Sequence, residues 1–381
     1  MPFVIHVLGL AVFALGTSEF MLSGLLPAIA ADLHVSIPHA GLLTSSFAVG
    51  MVVGAPVLAA ATRRLPRRSA LLWFLVVFAL CHVVGALTGD FTVLLATRVV
   101  SALAMAGFWA VASGTAVAMV APGARARVMA VLVGGTSLAC VAGVPAGAVL
   151  GQLWGWRAAF WAVAALTLLS VAAIAALLPA RDAAPADAGL RAELRDLTRP
   201  PLLLSYTVNA LVQGATFCTF TYLAPLVTET AGLAEGWVPV LLVLFGGGAT
   251  LGITIGGRVT DARPRTVLVC GAVALTAGWA LLALTAGNPV ALVALVFVQG
   301  MLAFGLAPAL TSRTFALAAG APTLAGGFVT AAFNVGNTLG PWLGGLTIDA
   351  GWGFRSPVGV SLALMLGALA AIAAAREVSR V

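Results

Sequence analysis

Residues 336–345 read Gly336-Asn-Thr-Leu-Gly340-Pro341-Trp-Leu-Gly344-Gly345 and sit inside a long apolar run. A second stretch, Gly143-Val-Pro145-Ala-Gly147-Ala-Val-Leu-Gly151, lies 197 residues earlier, counted from Gly143 to Gly340 or from Gly147 to Gly344. Glycine at every fourth position clears one face of a helix, so that two backbones can approach closely. The neighbouring prolines remove a backbone donor and permit a bend. One such stripe is ordinary packing in any membrane bundle. Two at equivalent positions predict a helical plan used twice in one chain. Arg63-Arg-Leu-Pro-Arg67-Arg68 and Asp261-Ala-Arg-Pro-Arg265 repeat the echo at an offset of about 198.

Composition places those helices in a bilayer. Of 381 residues, 61% are hydrophobic and 8% charged, with a mean hydropathy of +1.11. Ordinary soluble domains are about 25% charged, so these few charges cannot cover the surface of a soluble enzyme. A disordered chain is excluded by the same hydrophobicity. The basic pI, near 10.5, rests on too few charges to make a nucleic-acid groove. Cys81, Cys140, Cys218 and Cys270 lie far apart in apolar runs, without metal-ligand spacing, and read as small buried hydrophobes.

A membrane helix needs about 20 mainly apolar residues. That rule predicts twelve segments, at 3–30, 38–61, 69–88, 92–120, 126–150 and 158–178, then 202–230, 237–257, 266–286, 289–312, 323–347 and 357–375. All 19 basic residues are Arg, and sixteen fall in alternate connections or the C-terminal tail. The other side has Arg157 and Arg355, while Arg98 lies within a segment. By the positive-inside rule the sixteen, and both termini, face the cytoplasm of a cell membrane. Ala28-Ile-Ala30 resembles a signal-peptidase site, but residues 2–18 lack Lys and Arg and Glu19 interrupts the apolar run. The first segment is therefore expected to stay attached. The polar stretch 179–201 reads as a cytoplasmic linker between two six-helix bundles, 1–178 and 202–381.

With these residues in place, the chain resembles the major facilitator superfamily, and within it the twelve-span drug:proton antiporters. Gly336–Gly345 matches the antiporter pattern G-x-x-x-G-P-x-x-G-G at every fixed position. Residues 143–151 match with the proline displaced to Pro145, followed by Gly155-Trp-Arg157-Ala-Ala-Phe160. Gly16-Thr-Ser-Glu19-Phe20 with Pro27 and Asp32 is similar to the family's first-span signature, and Arg98 to Gly107 to its Arg-bearing motif. In the loop motif G-x-L-a-D-r-x-G-r-r, Gly257, Asp261 and Arg265 match, whereas Arg63 and Pro66 replace the Asp and Gly of the first copy. More narrowly, the chain resembles actinobacterial chloramphenicol-resistance exporters. The resemblance implies an all-α fold of two pseudo-symmetric six-helix halves and export of a small amphipathic drug, with chloramphenicol foremost. It also implies exchange for protons by alternating access.

Glu19 is the acid placed well inside the first segment, and ionisable groups there are costly to bury and functional candidates by default. It can hold a proton or a drug's polar head, so competition would couple the two movements; alternatively it is a neutral acid hydrogen-bonded to a neighbouring helix. Arg98 is its expected electrostatic partner, about 10 Å deep against about 16 Å for Glu19 at 1.5 Å per residue. Asn209 and Gln213, continued by Thr216 and Phe217, share one helix face, and Asn334 with Asn337 and Gln299 adds amides on two other segments. These groups either orient a polar ligand between aromatic walls or bond neighbouring helices. Tyr206 and Tyr222 either line the route or mark the interfaces. Asp261 and Arg265 are expected to pair at a cytoplasmic gate beside Gly257. His82 reads as a hydrogen-bonded core residue.

A sugar or other small-metabolite exporter of the same superfamily is the alternative function, with a cavity read by amides. An enzyme is not expected, because neither H-E-x-x-H nor G-x-x-x-x-G-K-[ST] occurs. No cofactor and no metal are expected, the energy coming from a proton gradient. The expected partners are drug, protons and membrane lipid, with no nucleic acid, and a 6+6 chain can act as a monomer.

Overall fold

The computed structural model describes residues 3–62, 65–121, 125–179, 199–318 and 325–378, and their regular structure is helical throughout. Span 1 consists of Phe3–Phe20, a 3-10 turn at Met21–Gly24 and Leu26–Asp32. Spans 2 to 4 are Ile37–Ala61, Arg67–Leu87 and Phe91–Ala118. Span 5 joins Arg125–Leu138 to Val144–Trp154 through a π turn at Ala139–Gly143, and span 6 is Trp156–Leu177. Span 7 is Pro200–Thr221 bent by 55° into Leu223–Thr230. Spans 8 to 10 are Trp237–Ala262, Pro264–Thr285 and Pro289–Leu317. Span 11 is Ala325–Thr347, closed by a π turn at Ile348–Trp352, and span 12 is Ser356–Val378.

Among the described residues ten helices are long and apolar enough to cross a bilayer, and the bent span 7 makes an eleventh. Span 11, diluted by Gly, Asn and Thr, completes a count compatible with twelve. Span 1 differs from the predicted unbroken 3–30. It breaks directly after Glu19 and Phe20 because Pro27, at the start of its outer piece, has no N–H to continue the ladder. Span 7 breaks at the corresponding depth, before Pro225. Paired broken helices are how a bundle exposes polar groups at mid-membrane.

The predicted linker 179–201 falls almost wholly outside the described residues, as do Arg63 and Arg64. One buried apolar cluster draws on spans 1 to 6, and a second on spans 7 to 10 and 12. They interlock: Tyr222 of span 7 belongs to the first, and Val144 and Ala148 of span 5 to the second.

The ends of the helices repeat their chemistry at a spacing of 198. Asp90 accepts from the Val93 N–H to cap span 4, and Asn288 accepts from the Ala291 N–H to cap span 10. Gly155 and Gly353 both take positive φ, 81° and 76°, at the entries to spans 6 and 12, where a side chain would be strained. Trp154 and Trp352 are each 72% exposed beside them, the placement expected of interfacial aromatic residues. Asp32, Asp90, Glu229 and Asp349 share this end with Arg157 and Arg355; Arg67, Arg68, Arg258, Arg265 and Arg313 lie at the other. Of the four cysteines, Cys218 alone is buried, and Cys270, expected inside, is exposed on the outer face of span 9.

Candidate functional site

The two glycine stripes meet equivalent partners. Gly143 faces Thr17, Gly147 faces Met21 and Gly151 faces Leu25, so span 5 lies along span 1 and receives its side chains where it has none of its own. Span 11 lies along span 7 in the same way: a Cβ on Gly340 would run into the Gly214 carbonyl, and one on Gly344 into the Cys218 sulfur. Thr17 to Gly214 and Met21 to Cys218 are the same 197 residues that separate the stripes themselves. A second contact repeats at 198: Gly50 and Gly54 pack on Val99 and Leu103 of span 4, Gly248 and Gly252 on Phe297 and Met301 of span 10. Pro145 starts the helix after the π turn of span 5, and Pro341 lies within span 11, where its carbonyl accepts from Tyr222 Oη at 2.9 Å.

Spans 1 and 7 meet beside their breaks. Phe20 stacks on Phe217 across the two halves, with ring centroids 5.3 Å apart. Phe217 continues edge-on to Phe220, and Phe220 meets Phe245 of span 8. Phe20, Phe220 and Phe245 are the aromatic residues that sequence reasoning missed. The 197-residue step from Phe20 to Phe217, both flanking a stripe partner, was the available signal.

Glu19, next to Phe20, is half-buried and, among the described residues, takes no hydrogen bond or ion pair. Arg98 lies within electrostatic range of it, but the expected direct pair is not formed. Arg98, 1% exposed, donates instead to the preceding residue, from Nη1 to Ser18 Oγ at 2.8 Å and from Nη2 to Ser18 O at 3.0 Å. Its guanidinium also covers the Phe47 ring at 4.3 Å. Ser18 Oγ meets His82 Nε2 at 2.6 Å, and His82 Nδ1 meets the Phe78 carbonyl at 2.8 Å. His82 is thus the hydrogen-bonded core residue the sequence suggested.

The amides divide. Asn209 is fully buried, and its Nδ2 donates to Ser205 O and Thr314 Oγ1, tying span 7 to span 10. Gln299 donates to Leu275 O of span 9 and packs against Gly278, so it faces a neighbouring helix. Both therefore do interhelical work. Asn209, Gln299, Asn334 and Asn337 all keep a buried side-chain oxygen without a partner among the described residues, but Asn334 turns its Nδ2 back to Thr330 O of its own helix and Asn337 bonds no neighbouring helix there; Gln213 is half-buried on the same face of span 7 as Phe217. Thr216 bonds back to its own helix at Val212 O. Tyr222 is buried against Gly41 of span 2 and Gly345 of span 11, an interface between halves. Tyr206 is half-buried near Phe328, its Oη unpartnered.

At the arginine-rich end, a Cβ on Gly257 would meet open space, and exposed Arg265 stands close enough to Arg313 to repel it. The side chain of Asp261 lies outside the described residues, and its expected pairing with Arg265 with it. At the opposite end Asp32 accepts from Arg157 Nη1 at 2.5 Å and from Trp156 Nε1 at 3.2 Å, and Arg157 Nη2 reaches Thr88 O at 3.0 Å. The hydrogen bond from Arg157 holds the Asp32 carboxyl below the usual aspartate range. Among the described residues no group of acids, histidines and cysteines could hold a metal ion.

Residues 8–263 match the sequence profile of the Major Facilitator Superfamily. A "Chloramphenicol resistance protein" of Streptomyces lividans is 50% identical over 372 residues, 97% of this chain and 95% of that protein. The "Inner membrane transport protein YdhP" of Escherichia coli (strain K12) is 34% identical over 91% of this chain and 89% of its own. In fold, the chain matches an inward-facing crystal structure of a bacterial homologue of the human lysosomal transporter Spinster. The TM-score is 0.79 at 16% identity, over 98% of this chain and 96% of that one. The human organic anion transporter MFSD10 matches with a TM-score of 0.68 at 19% identity, over 97% of each chain.

Proposed function

The chain belongs to the major facilitator superfamily, and from that premise we propose that it exports a small amphipathic drug, chloramphenicol foremost, in exchange for protons. It is a membrane transporter and not an enzyme. The substrate is supported by the relative named for chloramphenicol resistance, half identical along nearly the whole chain. The observation that carries the coupling is Glu19, a carboxyl with no hydrogen-bond partner among the described residues at the break in span 1, beside the Phe20–Phe217 stack.

A carboxyl in that position binds either a proton or the polar head of a drug whose aromatic part lies against the phenylalanines. Drug binding from the cytoplasm displaces the proton, and proton binding from outside displaces the drug. Each cycle then moves a proton inward and a drug outward, with no cofactor. The two bundles, 1–178 and 202–381, joined by the linker 179–201, rock about the contacts between them, among these Phe20 against Phe217 and Gly41 against Tyr222. The protein works as a monomer in the cell membrane with both termini cytoplasmic, as the arginine-rich helix ends favour. Gln213, Asn334 and Asn337 supply the polar contacts to the drug. Gly257, Asp261 and Arg265 act at the cytoplasmic gate.

The test uses inside-out vesicles with an acid interior and a pH-sensitive dye. Adding chloramphenicol releases lumenal protons with the wild type and not with Glu19→Gln. An equal response from Glu19→Gln would overturn the coupling role. No response from correctly inserted wild type would overturn the substrate, and a sugar panel would then test the metabolite-exporter reading.

A further inference from the structure

The Ser18–His82 pair has no part in the exchange just described, yet it decides what Arg98 touches. The Phe78 carbonyl can only accept, so His82 Nδ1 carries a proton and donates to it. In a neutral imidazole Nε2 is then the acceptor, and it takes the one proton of Ser18 Oγ at 2.6 Å. With its hydrogen committed to His82, the hydroxyl turns its lone pairs toward Arg98 and accepts from Nη1 at 2.8 Å. The Ser18 backbone carbonyl accepts from Nη2 at 3.0 Å. All three side chains are at most 1% exposed, so no water substitutes for any of these bonds.

We infer that Ser18 and His82 are positioning residues that park the Arg98 guanidinium on Ser18 and so keep it off the Glu19 carboxyl one residue further along. The inference rests on Glu19 being the exchanging group. The choice between the two partners is close. Arg98 has a buried Nε without an acceptor, and Glu19 offers a charged one within electrostatic range. A carboxylate adds Coulomb attraction to the hydrogen bond, and that attraction is strong away from water, so a guanidinium free to turn would take Glu19. Two neutral acceptors on Ser18, one of them polarised by His82, and the Phe47 face at 4.3 Å hold it back. The other titratable groups facing this cluster are Cys81 of span 3 and Cys140 of span 5. Span 6 contributes only Arg157, at its far end, and span 2 only His39. If His82 gained a second proton, Nε2 would become a donor and Ser18 Oγ would face two cations. The parking would then fail and Arg98 would move to Glu19.

The test needs no drug. Dicyclohexylcarbodiimide modifies protonated carboxyls in apolar surroundings, and mass spectrometry of the full-length protein in lipid vesicles reads the labelling of Glu19 at pH 7. In Ser18→Ala one of the two parking bonds is gone, Arg98 pairs with Glu19 and labelling falls about tenfold, the effect of an opposite charge within reach. His82→Leu, which leaves the Ser18 hydroxyl without its acceptor but still able to accept from Arg98, gives a smaller fall. His82→Gln, whose amide oxygen still accepts from Ser18, labels like the wild type. A bundle merely loosened by substitution would open Glu19 to the reagent and raise its labelling, so the sign separates positioning from damage. Unchanged or increased labelling in both His82→Leu and Ser18→Ala would overturn the proposal. A failed drug response with this labelling pattern intact would instead count against the export reading alone.

Discussion

Phe20 and Phe217 lie face to face across the two halves, 5.3 Å between ring centroids and 25° from parallel, and each is the other's counterpart at the 197-residue repeat. The contact therefore joins equivalent points of the two bundles beside Glu19. Aromatic pairs contribute about 0.5–1.5 kcal/mol beyond their buried area. A double-mutant cycle with Phe20→Ala and Phe217→Ala, read by thermal unfolding of the purified protein, should give a coupling of about 1 kcal/mol. Additive losses would show that the rings do not hold the halves together.

The glycine columns make a sharper claim about space. A Cβ at Gly340 has only the Gly214 backbone to move, whereas at Gly257 it meets nothing. Gly340→Ala should destabilise by about 1–3 kcal/mol, the cost of overpacking, with a matching fall in folded yield. Gly257→Ala should leave folded yield as it is. Equal yields for the two variants would refute the close approach of spans 7 and 11.

Among the amides, Asn209 and Asn337 should separate by readout. Asn209→Ala leaves Thr314 and the Ser205 carbonyl without their shared donor and should cost about 1–3 kcal/mol of stability. The affinity for drug should hardly change. Asn337 shares with Asn209 an unpartnered acceptor but, among the described residues, ties no helix to another, so Asn337→Ala should keep its stability and weaken drug-driven proton release several-fold. The reverse pattern would exchange the roles given to the two residues.

The Asp32–Arg157 pair predicts a dependence on pH. Its carboxyl is held below the usual aspartate range, first by the Arg157 hydrogen bond, with Trp156 assisting. The stability it supplies is therefore present above the unfolded value of about 3.9 and is lost as pH falls through the lower folded value. Both side chains are more than a third exposed, which limits the contribution to about 0–1 kcal/mol. Asp32→Asn should lower the melting temperature slightly at pH 7, and the gap to wild type should close under strong acid. A gap that persists there would assign the effect to packing.

The spans and both glycine stripes were legible in the sequence because hydropathy and a four-residue period are properties of the chain itself. So was the placing of Glu19, Arg98 and His82 within spans 1, 4 and 3. Rotation about each helix was not. Arg98 binds Ser18 and not Glu19 because their carbonyl and hydroxyl face span 4, and one residue is a turn of 100° that no spacing argument resolves. Asn209 and Gln299 point at Thr314 and Leu275 for the same reason. The break in span 1 was marked by Gly24 and Pro27, yet membrane helices tolerate both residues, so only the folded chain distinguishes a kink from an interruption.

The repeat extends to caps, positive-φ turns, interfacial tryptophans and charges at the helix ends, Arg157 with Arg355 and Asp32 with Glu229, and stops at the charged residues inside the spans. The counterpart of Glu19 at 197 is Thr216, and that of Arg98 at 198 is Val296. Geometry has been inherited by both halves and the mid-span acid and arginine by one. In the proposed exchange the second bundle is then a passive lever: any force a proton generates arises in the first and reaches the second through surfaces they share, among them Phe20 against Phe217 and Gly41 against Tyr222.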